Sequence, residues 1–386
     1  MSLQEVLDSH RVVVCVGSGG VGKTTTAAAL ALHAAMNGKR VLCLTIDPAR
    51  RLANSLGLAE MTAHEQVVPT QLFQESGIAF EGHLCAMMLD SKRTFDELVT
   101  RYASSPQVAQ RILSNNVYGF MSASLAGTQE YMAMEKLHAV RQDPSWDLIV
   151  LDTPPTSNAL DFLDAPEKMA DLVDSPAMRW FVEAFSSSGK FSFNLVGKGA
   201  AFLLRGLSRF TGTEFLEVLA EFLTDLNDLF GGFRTRAKEV SEALRSPEVA
   251  FVIVTSPNPL AMDEAIFFAE RLEAASMSRD GFVINGIRQL FAEPNQPESE
   301  LASLVAPHLR ALDPRRAVSR MRRALDDARI RAIADRLEVE RLHSRAGSER
   351  LYVEVPHFEQ DVYDLPALHR VAMYLTGQAT MPTVAD

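Results

Sequence analysis

The sequence has 386 residues, of which 47% are hydrophobic, so it is long enough to bury one large core or two. Its formal charge of −11 at pH 7 argues against nucleic-acid binding over the whole surface. The first residues lack the basic start and apolar stretch of a secretory signal, and no run of eighteen apolar residues predicts a membrane span. We therefore expect a cytoplasmic protein without a transmembrane segment.

Seven short apolar runs without polar alternation predict strands that are buried on both faces of a sheet. Helical stretches separate these runs, among them an alanine-rich segment at residues 23–37. This order is typical of an α/β protein with a mostly parallel sheet flanked by helices. The arginine-rich residues 313–345 also contain Asp and Glu and are predicted to form a solvated helix. The predicted strands are residues 12–17, 40–46, 83–89, 147–151, 250–255, 281–284 and 351–355.

Two intervals, residues 91–143 and 161–244, are too long for simple crossovers between strands. Both have helical character, and ten of the 21 phenylalanines lie between Phe181 and Phe233. We predict one domain over residues 1–386, with a helical subdomain inserted at these two places. The apolar residues recur at helical spacing and are expected to pack as a helical core. A groove that holds an apolar client segment is the alternative.

Residues 17–24 fit the phosphate-binding pattern G-x-x-x-x-G-K-[ST], between a predicted strand and a predicted helix. Glycines let the backbone curl around phosphate oxygens, and the helix N-terminus adds positive potential. Lys23 is predicted to reach the β- and γ-phosphates of ATP, and Thr24 to offer its hydroxyl to Mg²⁺. The predicted cradle consists of Gly19, Gly20, Val21, Gly22, Lys23, Thr24 and Thr25.

Two aspartates follow predicted strands and complete a candidate ATPase site. Asp152 ends an apolar run and takes the place of a Walker B carboxylate, which can hold Mg²⁺. Asp47 ends the strand that follows the phosphate-loop helix, where a carboxylate can orient the attacking water. A helix cap or a turn is the alternative role for either residue. With the loop, they predict ATP and Mg²⁺ as cofactors and Asp47 and Lys23 as catalytic residues.

Six segments in this order resemble the ArsA/GET family, which contains arsenite-pump ATPases and ATPases that target tail-anchored membrane proteins. The resemblance covers about residues 10–375. The Asp-Pro after the second strand and the Asp-Thr-Pro-Pro-Thr that begins at Asp152 are more specific than the phosphate loop alone. The segments are GSGGVGKTTTAAALAL, LTIDPARRLANSLGL, LIVLDTPPTSNALDFL, FVIVTSPNPLAMDEAIFFAERL, GFVINGIRQLF and YVEVPHFEQDVYDLPAL.

The resemblance implies a P-loop NTPase fold of the SIMIBI type and a homodimer. At the phosphate end it makes Asp47 the switch residue that positions or activates water. It makes residues 152–156 the second switch, which senses the γ-phosphate. It also implies that Thr24 is the Mg²⁺ ligand and that Thr25 contacts phosphate.

At the base end, the resemblance implies that Asn285 reads adenine. It assigns the loop that closes over the base to residues 356–358, which include Pro356 and Phe358. The helical insertions correspond to the region that forms a hydrophobic groove across the homodimer in the targeting members. The implied partners are therefore a second copy of the chain and a hydrophobic protein client or membrane-protein partner, with no nucleic acid.

Ser18 departs from the family pattern, in which a lysine usually stands at this position and reaches the partner's nucleotide. A serine supplies no positive charge to the strongly anionic transition state, so this position is not expected to activate hydrolysis in trans. Arg50 or Arg51, just after Asp47, is a hypothetical source of replacement charge. Replacing it by alanine would then lower turnover much more than ATP affinity.

Cysteine placement separates the branches of the family. Cys15, Cys43 and Cys85 lie in predicted strands and are expected to be buried thiols. Neither the zinc-linking CxxC of the eukaryotic targeting members nor the arsenite-binding cysteine set of the pumps is recognisable. Because trivalent arsenic prefers clustered thiolates, an arsenite-activated pump is disfavoured.

These features favour a Mg²⁺-dependent ATPase whose nucleotide switches couple to the helical subdomain. Ser18 supports the alternative of a nucleotide-gated scaffold or regulatory module with little turnover. An arsenite- or anion-pump subunit is a further alternative. A MinD-like or partition-type ATPase would need a basic membrane helix or a basic DNA face, and a metal-cluster reductase would need cysteine ligands. The sequence indicates none of these features, so it disfavours the MinD-like, partition-type and reductase functions.

Overall fold

The computed structural model describes residues 2–46, 50–115, 118, 128–153, 171, 235–278, 280–309, 313–347 and 350–381, with the backbone alone at 50, 51 and 128–130. Asp47, residues 154–156 of the second switch and most of residues 161–244 lie outside these ranges. The inserted helical subdomain therefore stays a prediction.

Eight strands of the described ranges form one sheet in the order β3-β4-β2-β5-β1-β6-β7-β8. All seven predicted strands are present and pair in parallel, which confirms the α/β class. The short antiparallel edge strand β3 was not predicted, because two residues carry no periodicity. The strands are β1 Val12–Val16, β2 Arg40–Thr45, β3 Gln66–Val67, β4 His83–Met88, β5 Leu148–Asp152, β6 Val249–Thr255, β7 Gly281–Ile287 and β8 Tyr352–Pro356.

Helices flank the sheet on both faces. The predicted alanine-rich helix is present as α2, whereas α1 was not predicted, although Ser2 and Glu5 form a capping box at its start. The helices are α1 Leu3–Ser9, α2 Lys23–Met36, α3 Arg50–Ser55, α4 Thr70–Glu75, α5 Ser91–Tyr102, α6 Pro106–Ser114, α7 Thr128–Arg141, α8 at residues 235–244, α9 Pro259–Ala274, α10 Glu298–Val305, α11 Pro314–Ala346 and α12 Leu365–Leu375.

Each face of the sheet packs into its own hydrophobic core, because successive side chains of a strand point to opposite faces. In β1, Val12, Val14 and Val16 enter one core, which also holds residues of α5 to α9 and α11. Val13 and Cys15 enter the other core, with residues of α1 to α4 and α12. This two-sided burial explains why the strands read as unbroken apolar runs.

Helix α11 extends over 33 residues, Pro314–Ala346, between the N-cap Asp313 and the C-cap Gly347. Many of its arginines are exposed, as predicted for a solvated helix, but Ile330 and Leu337 are also 65% and 60% exposed. Its inner face packs Val339 into the first core. Within the described ranges, no helix, α11 included, is both long and apolar enough to cross a membrane.

Strand order determines where a site can form. Strand β1 lies between β5 and β6, and β2 lies on the far side of β5. The pairing register places Asp152 of β5 beside both Cys15 of β1 and Thr45 of β2. Because these strands are parallel, the loops after them emerge at one edge of the sheet, where ligands bind in this class of fold.

Candidate functional site

The loop between β1 and α2 has the backbone shape that the phosphate-binding pattern predicts. Gly17 has φ 150°, and a Cβ there would lie 2.0 Å from the carbonyl oxygen of Val254. Gly22, the N-cap of α2, is left-handed with φ 97° and ψ 23°. The helix then begins at Lys23, so its first N–H groups, which have no partner within the helix, lie beside the loop.

Lys23 lies folded back into the loop that precedes it. Its side chain is buried, and Nζ donates a hydrogen bond of 2.7 Å to the backbone oxygen of Ser18. The acceptor is main chain, so the bond does not depend on which side chain occupies position 18. The ammonium group is thus held beside the space that the loop encloses.

Asp152 joins three elements at the carboxyl edge of the sheet. It is only 1% exposed, and its Oδ2 accepts hydrogen bonds from Thr24 Oγ1 at 2.7 Å and Thr45 Oγ1 at 3.0 Å. Next along the chain, Thr153 donates from Oγ1 to the backbone oxygen of Cys15 at 2.8 Å. Strand register therefore fixes the carboxylate directly beside the first turn of α2.

A second part of the site is a pocket of about 270 Å³ beyond the ends of β7 and β8. Four residues assigned to base or phosphate by family resemblance line it together, namely Thr25, Asn285, Pro356 and Phe358. The rings of Phe358 and Tyr374 pack edge to face, with centroids 5.9 Å apart. The structure therefore brings together residues that are more than 300 positions apart in the chain.

Asn285 connects this pocket to the phosphate loop. Its Nδ2 donates a 2.9 Å hydrogen bond to the backbone oxygen of Val21. A Cβ on Gly22 would lie only 2.2 Å from the same nitrogen. The absence of a side chain at position 22 is therefore what lets the amide approach the loop.

The pocket contains further residues that the sequence did not indicate. Asn54, Gln360, Asp361 and Tyr363 line it from α3 and from the loop after β8. None of them belongs to a spaced motif, so no sequence signal identified them. Of the other predictions, Asp47 lies outside the described residues, and Arg50 and Arg51 begin α3 without described side chains.

The three cysteines are free and buried, as predicted. Burial is the largest cause that raises the pKa of the Cys15 and Cys43 thiols, and the charge of Asp152 adds to it. Burial also raises the pKa of Cys85 to about 11. At neutral pH these groups are thiols, not thiolates, and no cluster of His, Cys, Asp and Glu in the described ranges has the composition of a metal site.

A glycine loop, a buried lysine and a buried carboxylate at the carboxyl edge of a parallel sheet define a P-loop nucleotide-binding protein. The family model described as anion-transporting ATPase matches residues 10–304. The match covers well over half of the chain, and the chain belongs to this ArsA/GET family of ATPases.

Individual relatives agree with this assignment. The chain is 25% identical to "ATPase GET3" of Phaeosphaeria nodorum over 305 residues, which cover 77% of this chain and 82% of that protein. It is 25% identical to "ATPase GET3" of Podospora anserina over 297 residues, or 76% and 78% of the two chains. A shorter match of 172 residues to "ATPase GET3" of Paracoccidioides lutzii is 31% identical and covers 43% and 46%.

Proposed function

We propose that this protein is a Mg²⁺-dependent ATPase whose nucleotide state controls the binding of a hydrophobic client or protein partner. The observation that carries the proposal is the hydrogen bond between Thr24 and the buried carboxylate of Asp152, directly behind a glycine loop that holds Lys23. Strand β1, strand β5 and helix α2 meet at this point. The cation of Lys23, the carboxylate of Asp152 and the N-terminal N–H groups of α2 thus lie close together.

In the proposed ATP complex, the loop N–H groups and the N-terminus of α2 receive the phosphate oxygens. Lys23 exchanges its hydrogen bond to the Ser18 carbonyl for one to the β- and γ-phosphates. The ammonium is buried, so its attraction to phosphate is screened less than at an exposed position. Lys23 therefore contributes both to affinity and to the transition state, in which negative charge is spread over the γ-phosphate.

The oxygen donors at this edge fit Mg²⁺, a hard cation that is bound by few protein oxygens together with phosphates. Thr24 Oγ1 and the Asp152 carboxylate are the residues that would hold it, and Thr45 orients the carboxylate through its 3.0 Å hydrogen bond. When bound, the ion neutralises charge on the phosphate oxygens. Asp47, two residues after Thr45, would orient the attacking water.

The pocket around Asn285 would receive the adenine. Asn285 Nδ2 donates one of its two N–H groups to Val21, and its carbonyl oxygen is the acceptor that would face the base. An acceptor at this position suits the exocyclic amino group of adenine and opposes the carbonyl of guanine. Phe358 and Pro356 line the pocket and offer apolar contact to the ring.

The proposed output is binding and release of a hydrophobic protein segment by a homodimer in the cytoplasm. Family membership and the relatives named "ATPase GET3" support it, as does the phenylalanine-rich sequence between Phe181 and Phe233. The pump alternative is less supported, because the three thiols are buried and Cys85 lies in a different core from Cys15 and Cys43.

ATP hydrolysis by the purified protein tests the site. Lys23→Ala and Asp152→Asn are each expected to lower turnover by roughly two to three orders of magnitude, because each removes a group that meets charge in the transition state. Lys238→Ala, at a side chain that is 77% exposed, is the matched control and should keep wild-type turnover. Wild-type rates in both site variants would overturn the proposal.

A nucleotide-gated scaffold is the second candidate, and Ser18 is the observation that favours it. A scaffold would bind ATP tightly with almost no turnover. Ser18→Lys is then expected to raise turnover at least about tenfold, because it returns a cation to the γ-phosphate while the main-chain bond to Lys23 remains. Ser18→Met adds length without charge and should leave turnover unchanged. An increase in both variants would contradict a role for charge.

A further inference from the structure

One turn of helix α11 contacts both β7 and β8, the two strands whose ends line the pocket around Asn285. Asp335 of this turn is only 2% exposed. Its Oδ2 accepts the backbone N–H of Arg288 at 2.9 Å, and its Oδ1 accepts Arg288 Nη1 at 2.8 Å. One carboxylate therefore fixes both the main chain and the side chain of the same residue at the end of β7.

Arg288 lies directly after an irregularity in the pairing of β7 with β8. Asn285 pairs with Val355, whereas Ile287 pairs with Pro356, so Gly286 between them has no pairing partner in β8. An extra residue of this kind turns the side chains beside it and leaves the strand locally weaker. The bond from Asp335 anchors the chain immediately beyond this weak point.

The neighbouring residue of the helix holds the other strand. Arg336 Nη1 donates to Glu354 Oε2 of β8 at 2.6 Å. Glu354 lies two residues before Pro356, at the start of the loop that lines the pocket. Consecutive residues of α11 thus contact β7 and β8, whose ends supply Asn285 and Pro356 to the same pocket.

The side-chain amide of Asn285 can move very little without losing its contacts. Its amide makes a 2.9 Å hydrogen bond to the Val21 carbonyl and lies against Gly22, where even a methyl group would not fit. A shift of a few tenths of an ångström away from the loop weakens that bond, and a rotation presents the amide nitrogen instead of the oxygen to the pocket.

We propose that Asp335 is a positioning residue for the nucleotide base. It does not reach the pocket itself. By fixing Arg288, it holds the irregular end of β7 so that the Asn285 oxygen faces the base, and it thereby favours adenine over guanine. This inference rests on the proposed function, in which the pocket around Asn285 receives the base.

Asp335→Asn tests the proposal, with ATP and GTP as substrates. The amide keeps one acceptor but cannot accept both bonds from Arg288, so KM for ATP is expected to rise about tenfold. The ratio of kcat/KM for ATP to that for GTP should fall about tenfold. The kcat for ATP should stay within about twofold, because the phosphate end is untouched. Exposed Asp327 on the same helix gives the control Asp327→Asn, which should match wild type.

A merely structural role predicts a different result, since a partly unfolded enzyme loses kcat without a change in KM or in base preference. Arg288→Ala provides a second variant, in which the backbone N–H still reaches Asp335, and it should show a smaller shift of the same kind. A fall in kcat alone for Asp335→Asn, or wild-type values of KM and of the ATP to GTP ratio, would overturn the proposal.

Asn285→Ala separates this proposal from the one on which it rests. If Asn285→Ala loses ATP preference and Asp335→Asn does not, the pocket receives the base but Asp335 does not position it. If Asn285→Ala itself binds ATP and GTP as wild type does, the pocket is not the base site, and both proposals fail at that point.

Discussion

The two ends of the candidate site are built in different ways. The phosphate end comes from one continuous segment, the loop before α2, joined by one carboxylate from β5 and one hydroxyl from β2. The base end is assembled from α2, α3, β7, β8 and the loop after β8. The first is determined by local backbone shape, and the second by how distant elements pack. Three predictions test this difference.

Gly22→Ala should have the largest effect, because Gly22 belongs to both ends. Its left-handed backbone strains any side chain, and a Cβ would lie 2.2 Å from Asn285 Nδ2. We expect ATP affinity, measured by calorimetry, to fall about hundredfold. Gly20→Ala is the matched control, since its φ of 78° is equally strained but a Cβ there meets nothing within 4 Å. Gly20→Ala should lower ATP affinity by no more than about tenfold. Equal losses of affinity in the two variants would show that the contact between Gly22 and Asn285 does not matter for binding.

Thr45→Val should affect the phosphate end alone. The change keeps the shape of the side chain but removes its 3.0 Å hydrogen bond to Asp152. We expect the Mg²⁺ concentration for half-maximal turnover to rise about tenfold, while the ATP to GTP preference stays that of wild type. Thr255→Val changes the same residue type at the end of β6, whose hydroxyl lies near Ser256 and Met262, and should change neither quantity. A change in base preference would show that the ends are not separate.

The smallest effect concerns the support that both ends share, the packing of α2 against α12. Burial, the largest cause, lowers the pKa of His33 in α2, and repulsion from His369 of α12 adds to it while Asp8 opposes it. Burial also lowers the pKa of His369. The unfolded chain then binds more protons than the folded one, so stability is full above about pH 6.5 and falls as the pH drops below it.

Urea unfolding at pH 7.5 and pH 5.5 measures this loss as a lower midpoint at the acidic pH. His369→Gln removes one titrating group and its repulsion with His33, so the difference between the two midpoints should shrink. An unchanged or larger difference would show that the interface of α2 and α12 does not carry the pH dependence.

The contrast also explains what the sequence could predict. Buried parallel strands read as apolar runs, and the phosphate loop has a fixed spacing, so both were evident without a structure. Asn285, Pro356 and Phe358 were found through family resemblance, not through their spacing. The capping box of Ser2 and Glu5 was a usable signal for α1 that the apolar pattern did not reveal.

Other features were beyond the reach of sequence reasoning for physical reasons. Asn54 and Asp361 line the base pocket only because α3 and the loop after β8 converge there. Asp335 reads as one of several acidic residues in an arginine-rich helix, and nothing local separates it from exposed Asp327. Its role depends on which face of α11 packs toward Arg288, and this is decided by tertiary contact.

The hydrogen bond between Lys23 and the Ser18 carbonyl has a consequence for selectivity among anions. The loop already supplies a hydrogen-bond acceptor to the ammonium group. In the proposed ATP complex, the phosphate would therefore replace the Ser18 carbonyl as the partner of Lys23. A small monovalent anion offers the ammonium little more than the carbonyl dipole already does. A polyphosphate replaces the carbonyl and also reaches several loop N–H groups at once, so multiply charged chains outcompete the abundant simple ions of the surrounding solution.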